Sequence, residues 1–287
     1  MSQKWTQLPF REAQTQRTYF GQLHAIDLPY RLTSGTLDTP ENAAIWVDSL
    51  GLVCAWAIFQ PVFWTIDVGG DSGVLPNILR WTEQRAQKLG RSCWFIEALD
   101  SDTEKLATLE AAGYLSQTEV STNPWFKLRM MRSCSRQNIA PPIGYRIRSL
   151  NGVHEVDAYV ALHRHAFESE AMTTQWRNAI LKHPAYHPEL DLVAEDSEGQ
   201  LVGFCIGWFA AGFGHLEPMG VHKNHRRYGL GTALIAELLR RLEGLGATHC
   251  LVEPECGPSP AVALYETMGF RIEQRIHLCR RDFPKVK

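Results

Sequence analysis

Apolar residues recur at helical spacing through LGTALIAELLRRLEGLG. Leu230, Leu234, Leu238, Leu242 and Leu245 form one stripe, Ala233 widens it, and Glu237, Arg240, Arg241 and Glu243 take the opposite side. The pattern predicts a helix opening at Leu230 and ended by Gly244 and Gly246. Just upstream, LVAEDSEGQLVGFCIGWF alternates twice around a turn at Asp196 to Gly199 and reads as a hairpin. HLEPMGV predicts a further strand, where Pro218 and Gly220 interrupt the period and imply a bulge or a close approach by backbone or ligand. YRIRSL (145–150) reads as a short strand, Val156 to Phe167 as a helix, and HCLVE (249–253) as another strand.

The polar stretch SCSRQNIAPP (133–142) ends in Pro-Pro and reads as a linker between two segments of similar length, 1–135 and 143–287. LGRSCWFIE (89–97) matches LGATHCLVE (245–253), and LEAAGY (109–114) matches YETMGF (265–270). Residues 97 and 253, 113 and 269, and 73 and 229 are each 156 apart, one unbroken register that predicts an internal duplication. In that register Arg226 and Arg227 fall opposite Gly70 and Asp71, Gly231 opposite Leu75, and Tyr265 opposite Leu109. The first copy lacks the second copy's cations and tyrosine, so it is expected to be structural.

A net charge of −2 and a pI near 6.6 argue against a nucleic-acid partner, which needs a broad basic face. MSQKWTQLPFREAQ lacks the apolar run of a signal peptide, and no stretch has the length of a membrane span; a cytoplasmic protein with no membrane partner is expected. The seven cysteines (Cys54, Cys93, Cys134, Cys205, Cys250, Cys256, Cys279) are scattered without C-x-x-C spacing and are expected to be buried reduced thiols. His163 and His165 have no third ligand at a useful spacing, so they too are read as packing residues and no metal site is expected.

The chemistry concentrates in HRRYGLGTAL (225–234). A helix's first turn carries unpaired N–H groups and the positive end of its dipole, which attract a phosphate. Gly229 and Gly231 are expected to remove the β-carbons that would hold a bulky anion away, while Lys223, Arg226 and Arg227 add charge. The dinucleotide fingerprint fails, because Leu234 stands at its third glycine, and a Walker lysine is absent.

Arg226-Arg227-Tyr228-Gly229-Leu230-Gly231, preceded by Val221, resembles the central signature of the GNAT superfamily of N-acetyltransferases. Its second signature is matched by Ala261, Leu264-Tyr265 and Gly269-Phe270. The resemblance covers about residues 143–287; the first half shares it only through the duplication, a layout known from tandem members of the family. It implies an α/β (α+β) protein of two tandem folds, each a mixed, mostly antiparallel twisted sheet flanked by helices. Acetyl-CoA is the implied cosubstrate, its pyrophosphate on the N–H groups of Arg227, Tyr228, Gly229, Leu230, Gly231 and Thr232, with Arg226 alongside. The strand at Met219, Gly220 and Val221 would pair with the pantetheine arm and leave an N–H for the thioester oxygen. Pro258 stands where the family often has a cofactor-binding asparagine, so Ser259 or the backbone would substitute.

Acyl transfer to an amine needs an oxyanion donor, a base and an acid. Tyr265 is the candidate acid. Glu217 is the candidate base, expected on one face with Val221, and His215 is the alternative base. Glu168, Glu170, Trp176 and Tyr186 are candidates for an acceptor pocket that the first half, with Trp46, Trp56, Trp64 and Trp81, could wall, although a core role fits those tryptophans better. The expected activity is acetylation of a primary amine of a small molecule by direct attack in a ternary complex. A protein or peptide α-amine, or a non-catalytic acetyl-CoA-binding module, stands as the alternative.

Overall fold

A computed structural model describes residues 5–10, 23–120, 124–256 and 260–283. The first half runs β1 (Thr6–Pro9), α1 (Leu28–Leu32), β2 (Ala43–Val47), β3 (Val53–Gln60), β4 (Thr65–Gly70), α2 (Leu75–Leu89), β5 (Cys93–Leu99), α3 (Thr103–Ala111), β6 (Leu115–Ser116), α4 (Gln117–Val120) and β7 (Phe126–Ser133). The second half runs β8 (Arg146–Ser149), α5 (Val156–Phe167), α6 (Thr174–Lys182), β9 (Asp191–Glu195), β10 (Leu201–Ala210), β11 (Phe213–Val221), α7 (Leu230–Gly244), β12 (His249–Val252), β13 (Glu255–Cys256), α8 (Pro260–Thr267) and β14 (Arg271–Asp282).

The duplication is visible in these elements. Gly90 and Gly246, 156 apart, both take left-handed backbone after a helix, and so do Gly113 and Gly269. In each copy a parallel pair, β4–β5 or β11–β12, flanks the helix between, and the remaining pairs are antiparallel. The fold is the mixed, mostly antiparallel sheet flanked by helices that the residues imply.

The copies do not keep separate sheets. Fourteen strands form one sheet whose main path is β1-β2-β3-β4-β5-β14-β7-β12-β11-β10-β9-β8. The last strand of the second half lies beside β5 of the first, pairing Ile276–Asp282 with Leu99–Cys93. In return, β7 of the first half pairs with β12 of the second, from Ser133↔His249 to Met130↔Val252. A sequence boundary at 135–143 therefore divides the chain but not the sheet.

Helix α7 seals one face of the second half. Leu230, Leu234, Leu238, Leu239 and Leu242 are fully buried against Leu216, Cys250, Val252 and Met130. Each such leucine contributes about 1.5–3 kcal/mol relative to exposure. The other face holds α5, α6 and the first-half segment at Ile26 and Tyr30, around Tyr159, Trp176, Phe204 and Trp208. Five cysteines are buried, Cys54 and Cys256 are half-buried, and all seven are reduced thiols.

Candidate functional site

Strand β11 pairs with β12 only at Phe213, Gly214 and His215. From Leu216 to Val221 it bonds β10 alone, and the two parallel strands splay. The anticipated bulge is present: Leu216 faces Gly207 and Met219 faces Cys205, so Glu217 and Pro218 together stand opposite Ile206. This overturns the expectation that Glu217 and Val221 share a face. The extra residue shifts the alternation, and Leu216, Met219 and Val221 all pack on the α7 cluster. Gly220 is explained by packing, since a Cβ there would stand 2.7 Å from Phe204 and 2.9 Å from Ala166.

The loop 222–229 then leads into α7. Arg227 and Gly229 have positive φ, 70° and 85°, which only glycine adopts at little cost. No side chain caps α7 and no acidic residue stands in its first turn, so the amides there are open to an anion. Lys223, Arg227 and Tyr228 are exposed at this entrance. Two expectations change. A Cβ on Gly231 would meet Leu264 of α8 at 2.9 Å, so that glycine permits helix packing rather than anion approach. Arg226 donates to Val221 O at 3.1 Å and to Ala166 O at 2.9 Å, tying the loop to β11 and α5 as well as adding charge. Leu230 is buried, Thr232 is half-buried in the first turn, and Pro258 and Ser259 lie outside the described residues. The loop and the splayed strand together fit a ligand with an anionic end and an extended arm.

Glu217 lies beyond the splay, half-buried, its backbone carbonyl accepting from Trp208 Nε1 at 2.8 Å. Burial, reinforced by the Asp27 charge, pushes its carboxyl up to about 7. Tyr265 is buried on α8 against Phe270, with ring centroids 5.5 Å apart. Burial raises its hydroxyl well above the ordinary phenol range, with Cys205 and Glu217 contributing. The two candidate catalytic groups are thus within electrostatic reach of each other.

The expected acceptor residues do not converge. Trp176 is core, and its Nε1 donates to Tyr30 O at 3.2 Å. The Tyr186 hydroxyl donates to Asp191 at 2.7 Å, Glu170 pairs with Arg164 at the surface, and Glu168 is exposed at the end of α5. Their helix and loop pattern gave no sign of the buried Arg177–Asp191 pair, which Tyr186 joins. Trp46, Trp56 and Trp81 pack in the first half's core, whereas Trp64 is exposed beneath Arg91. His163 is buried on Phe204, and burial pushes its imidazole down to about 4; His165, against expectation, is exposed beside His222. Among the described residues, no group of three or more His, Cys, Asp or Glu could hold a metal ion.

A cavity of about 460 Å³ opens instead on the sheet face away from α7. It is lined by His24 and Ile26 from the first half, Arg129 and Met131 from β7, and His215 and Glu253 from the second half, among others. Behind it runs a buried ionic network that sequence reasoning missed. Arg31 grips Asp67 through two bonds of 2.7 Å. His24 joins Asp27 at 3.3 Å to Glu97 at 3.1 Å, and Lys127 closes on Glu97 at 2.6 Å. Burial and Arg31 oppose a charge on His24, but Asp27 and Asp67 outweigh them and hold its imidazole up to about 10.

Residues 156–270 match the model of the acetyltransferase (GNAT) family. A mycothiol acetyltransferase from Clavibacter michiganensis subsp. michiganensis is 32% identical over 134 residues, spanning 45% of this chain and 44% of that relative. The chain thus matches less than half the length of that relative. A GCN5-related N-acetyltransferase from Sphaerobacter thermophilus superposes over 99% of this chain and 97% of its own, with a TM-score of 0.67 and 18% identity. A tandem GNAT protein from the clavulanic acid biosynthesis pathway covers 99% and 100%, with a TM-score of 0.65 and 14% identity. At these identities the structures establish the shared fold.

Proposed function

We propose that the protein is an acetyl-CoA-dependent N-acetyltransferase acting on a primary amine of a small molecule. The observation that carries this reading is the placement of Glu217, a carboxyl held near 7, beside a splayed strand that leads to an uncapped helix entrance. When bound, acetyl-CoA supplies the activated acetyl group. The amides of Arg227 to Thr232 would hold its diphosphate, with Lys223 and Arg227 adding charge. Met219 to Val221 would offer backbone groups to its extended arm and one N–H to the thioester oxygen.

Glu217 takes a proton from the acceptor ammonium, directly or through a water, freeing the nitrogen lone pair for direct attack in a ternary complex. A carboxyl near 7 is half ionised at neutral pH and so suits this transfer. The Tyr265 hydroxyl, raised by burial, remains protonated and would donate to the departing sulfur, its proton being replaced by the second one that the acylated nitrogen must lose. The cavity of about 460 Å³ would receive the acceptor, with Glu253 and Glu273 on its wall beside Arg129 and His24. The match to a mycothiol acetyltransferase supports a small-molecule acceptor. The first half is structural in this account, and the protein acts in the cytoplasm. Release of free CoA with a panel of amines, amino acids and aminoglycosides tests the reading; no release above hydrolysis would reduce the protein to a binding module.

A further inference from the structure

Asp27 belongs to the first half, yet its Oδ1 stands 3.7 Å from Nδ1 of His215 in the second half. Both side chains are buried, Asp27 at 2% and His215 at 3% exposure. Asp27 Oδ2 meets His24 Nδ1 at 3.3 Å, while Asp27 Oδ1 and His215 Nε2 have no hydrogen-bond partner among the described residues. His215 lines the central cavity, whereas Glu217 does not appear on its wall.

At 3.7 Å Asp27 Oδ1 is beyond hydrogen-bond distance of Nδ1, and it is the negative charge of the carboxylate that favours the tautomer with the proton there. Nε2 then carries a lone pair. A buried acceptor without a donor is costly, and the cavity is where a donor can arrive. We infer that acceptor amines are recognised by a pair that neither half carries alone: Asp27 positions His215 so that Nε2 accepts a hydrogen bond from the amine. The inference rests on the acetyltransferase reading and adds the residue pair that selects its second substrate.

The surroundings carry both signs of charge, with Arg129 and His24 on the same wall as Glu253 and Glu273. Glu253 is held by Arg129 at 2.7 Å, and Glu273 lines the same cavity. On the far side of Asp27, Arg31 is matched by Asp67, Glu97 is shared by His24 and Lys127, and His24 also meets Asp27 Oδ2. Asp27 thus bridges the two halves, Oδ2 toward His24 and Oδ1 toward His215, with Glu217 two residues beyond His215 on β11. Its role is positioning; contact with the substrate belongs to His215.

The test uses the full chain. Asp27→Asn is expected to raise the acceptor KM about tenfold or more, the loss of one hydrogen bond to a charged group, while the acetyl-CoA KM stays within about twofold. His215→Gln should behave alike, and Asp27→Asn should add little in the His215→Gln background. Additive effects, or KM values for both substrates rising together, would overturn the pair. Nitrogen NMR of His215 needs no acceptor: the Nδ1–H tautomer is expected in the native chain and a mixture in Asp27→Asn, and identical spectra would refute the positioning role. If the native chain acetylates no amine, the acetyltransferase reading and amine recognition fall together, and the NMR measurement decides the Asp27–His215 pair on its own.

Discussion

The two helix entrances differ in length and in the charges that face them. Before α7 the chain spends eight residues, 222–229, and leaves the helix uncapped with three cations in the loop. Before α2 it spends four, 71–74, and Asp71 accepts from Gly73 N at 2.8 Å while proline stands in the first turn. Neither helix has a side-chain cap, so the difference before α2 is a carboxylate on the single amide of Gly73, in the turn Ser72–Val74 ahead of the helix, and a proline that lacks an N–H. The first copy retains a cavity of about 350 Å³ at this place, lined by Asp71, Asp102 and Lys105. Lys105 stands in the register of Ala261, half-buried among Asp102, Glu97 and Asp67, and Leu109 is buried where the second copy has Tyr265. Burial lowers the Lys105 amine, and those carboxylates oppose the shift. The duplicated fold has kept the frame and changed the groups that face the cleft.

The largest expected effect breaks a buried ion pair inside the first half rather than either cleft. Arg31→Ala leaves the buried Asp67 without its cation, with only Gln60 and Thr65 donating to it, and should cost about 3–5 kcal/mol in denaturant unfolding. Glu217→Gln should lower kcat about 100- to 1000-fold with acetyl-CoA affinity kept, as measured by steady-state kinetics and calorimetry. Tyr265→Phe should lower kcat about 10- to 100-fold, also with affinity kept; unchanged turnover would remove it from the mechanism.

The pH dependence has a definite sign. Glu217 is raised to about 7, so activity should fall as pH drops through 7. Asp27→Asn removes a negative charge that helps raise it, and the acidic limb should move to lower pH; a limb fixed in place would contradict the assignment. The same shift bears on stability. A carboxyl raised in the folded state contributes stability present below its unfolded value near 4.5 and lost as pH rises through 7. Glu217→Gln should therefore stabilise the protein by about 1–3 kcal/mol at pH 8 but not at pH 4, read from unfolding curves at both.

Local pattern carried much of this structure. The helix at 156–167, the hairpin around 196–199 and the bulge at Pro218 follow from periodicity and from residues that disrupt it. The 156-residue register placed the first copy's Asp71 and Leu109 opposite the second copy's functional positions. Strand exchange was hidden, because a period of two reports which face a residue takes and not which strand lies beside it. The bulge's consequence for Val221 was hidden for a related reason, since one inserted residue inverts every position after it. The local pair His24–Asp27 is far along the chain from Asp67, Glu97 and Lys127, and these groups meet only in the folded protein. Gly231 illustrates a further limit: its need for a missing β-carbon was legible, but the occupant, Leu264, was not.

Asp71→Asn should have the smallest effect, about 0.5–1.5 kcal/mol of stability from a weakened cap, with no gain of ligand binding by the first copy. The most direct measurement is calorimetric titration of the full chain with CoA, repeated with Gly229→Val and with Asp71→Asn. One site per chain is predicted, weakened at least tenfold by Gly229→Val, which forces a branched side chain into left-handed backbone, and unaltered by Asp71→Asn. No binding, two sites per chain, or a site abolished by Asp71→Asn yet untouched by Gly229→Val would contradict the account.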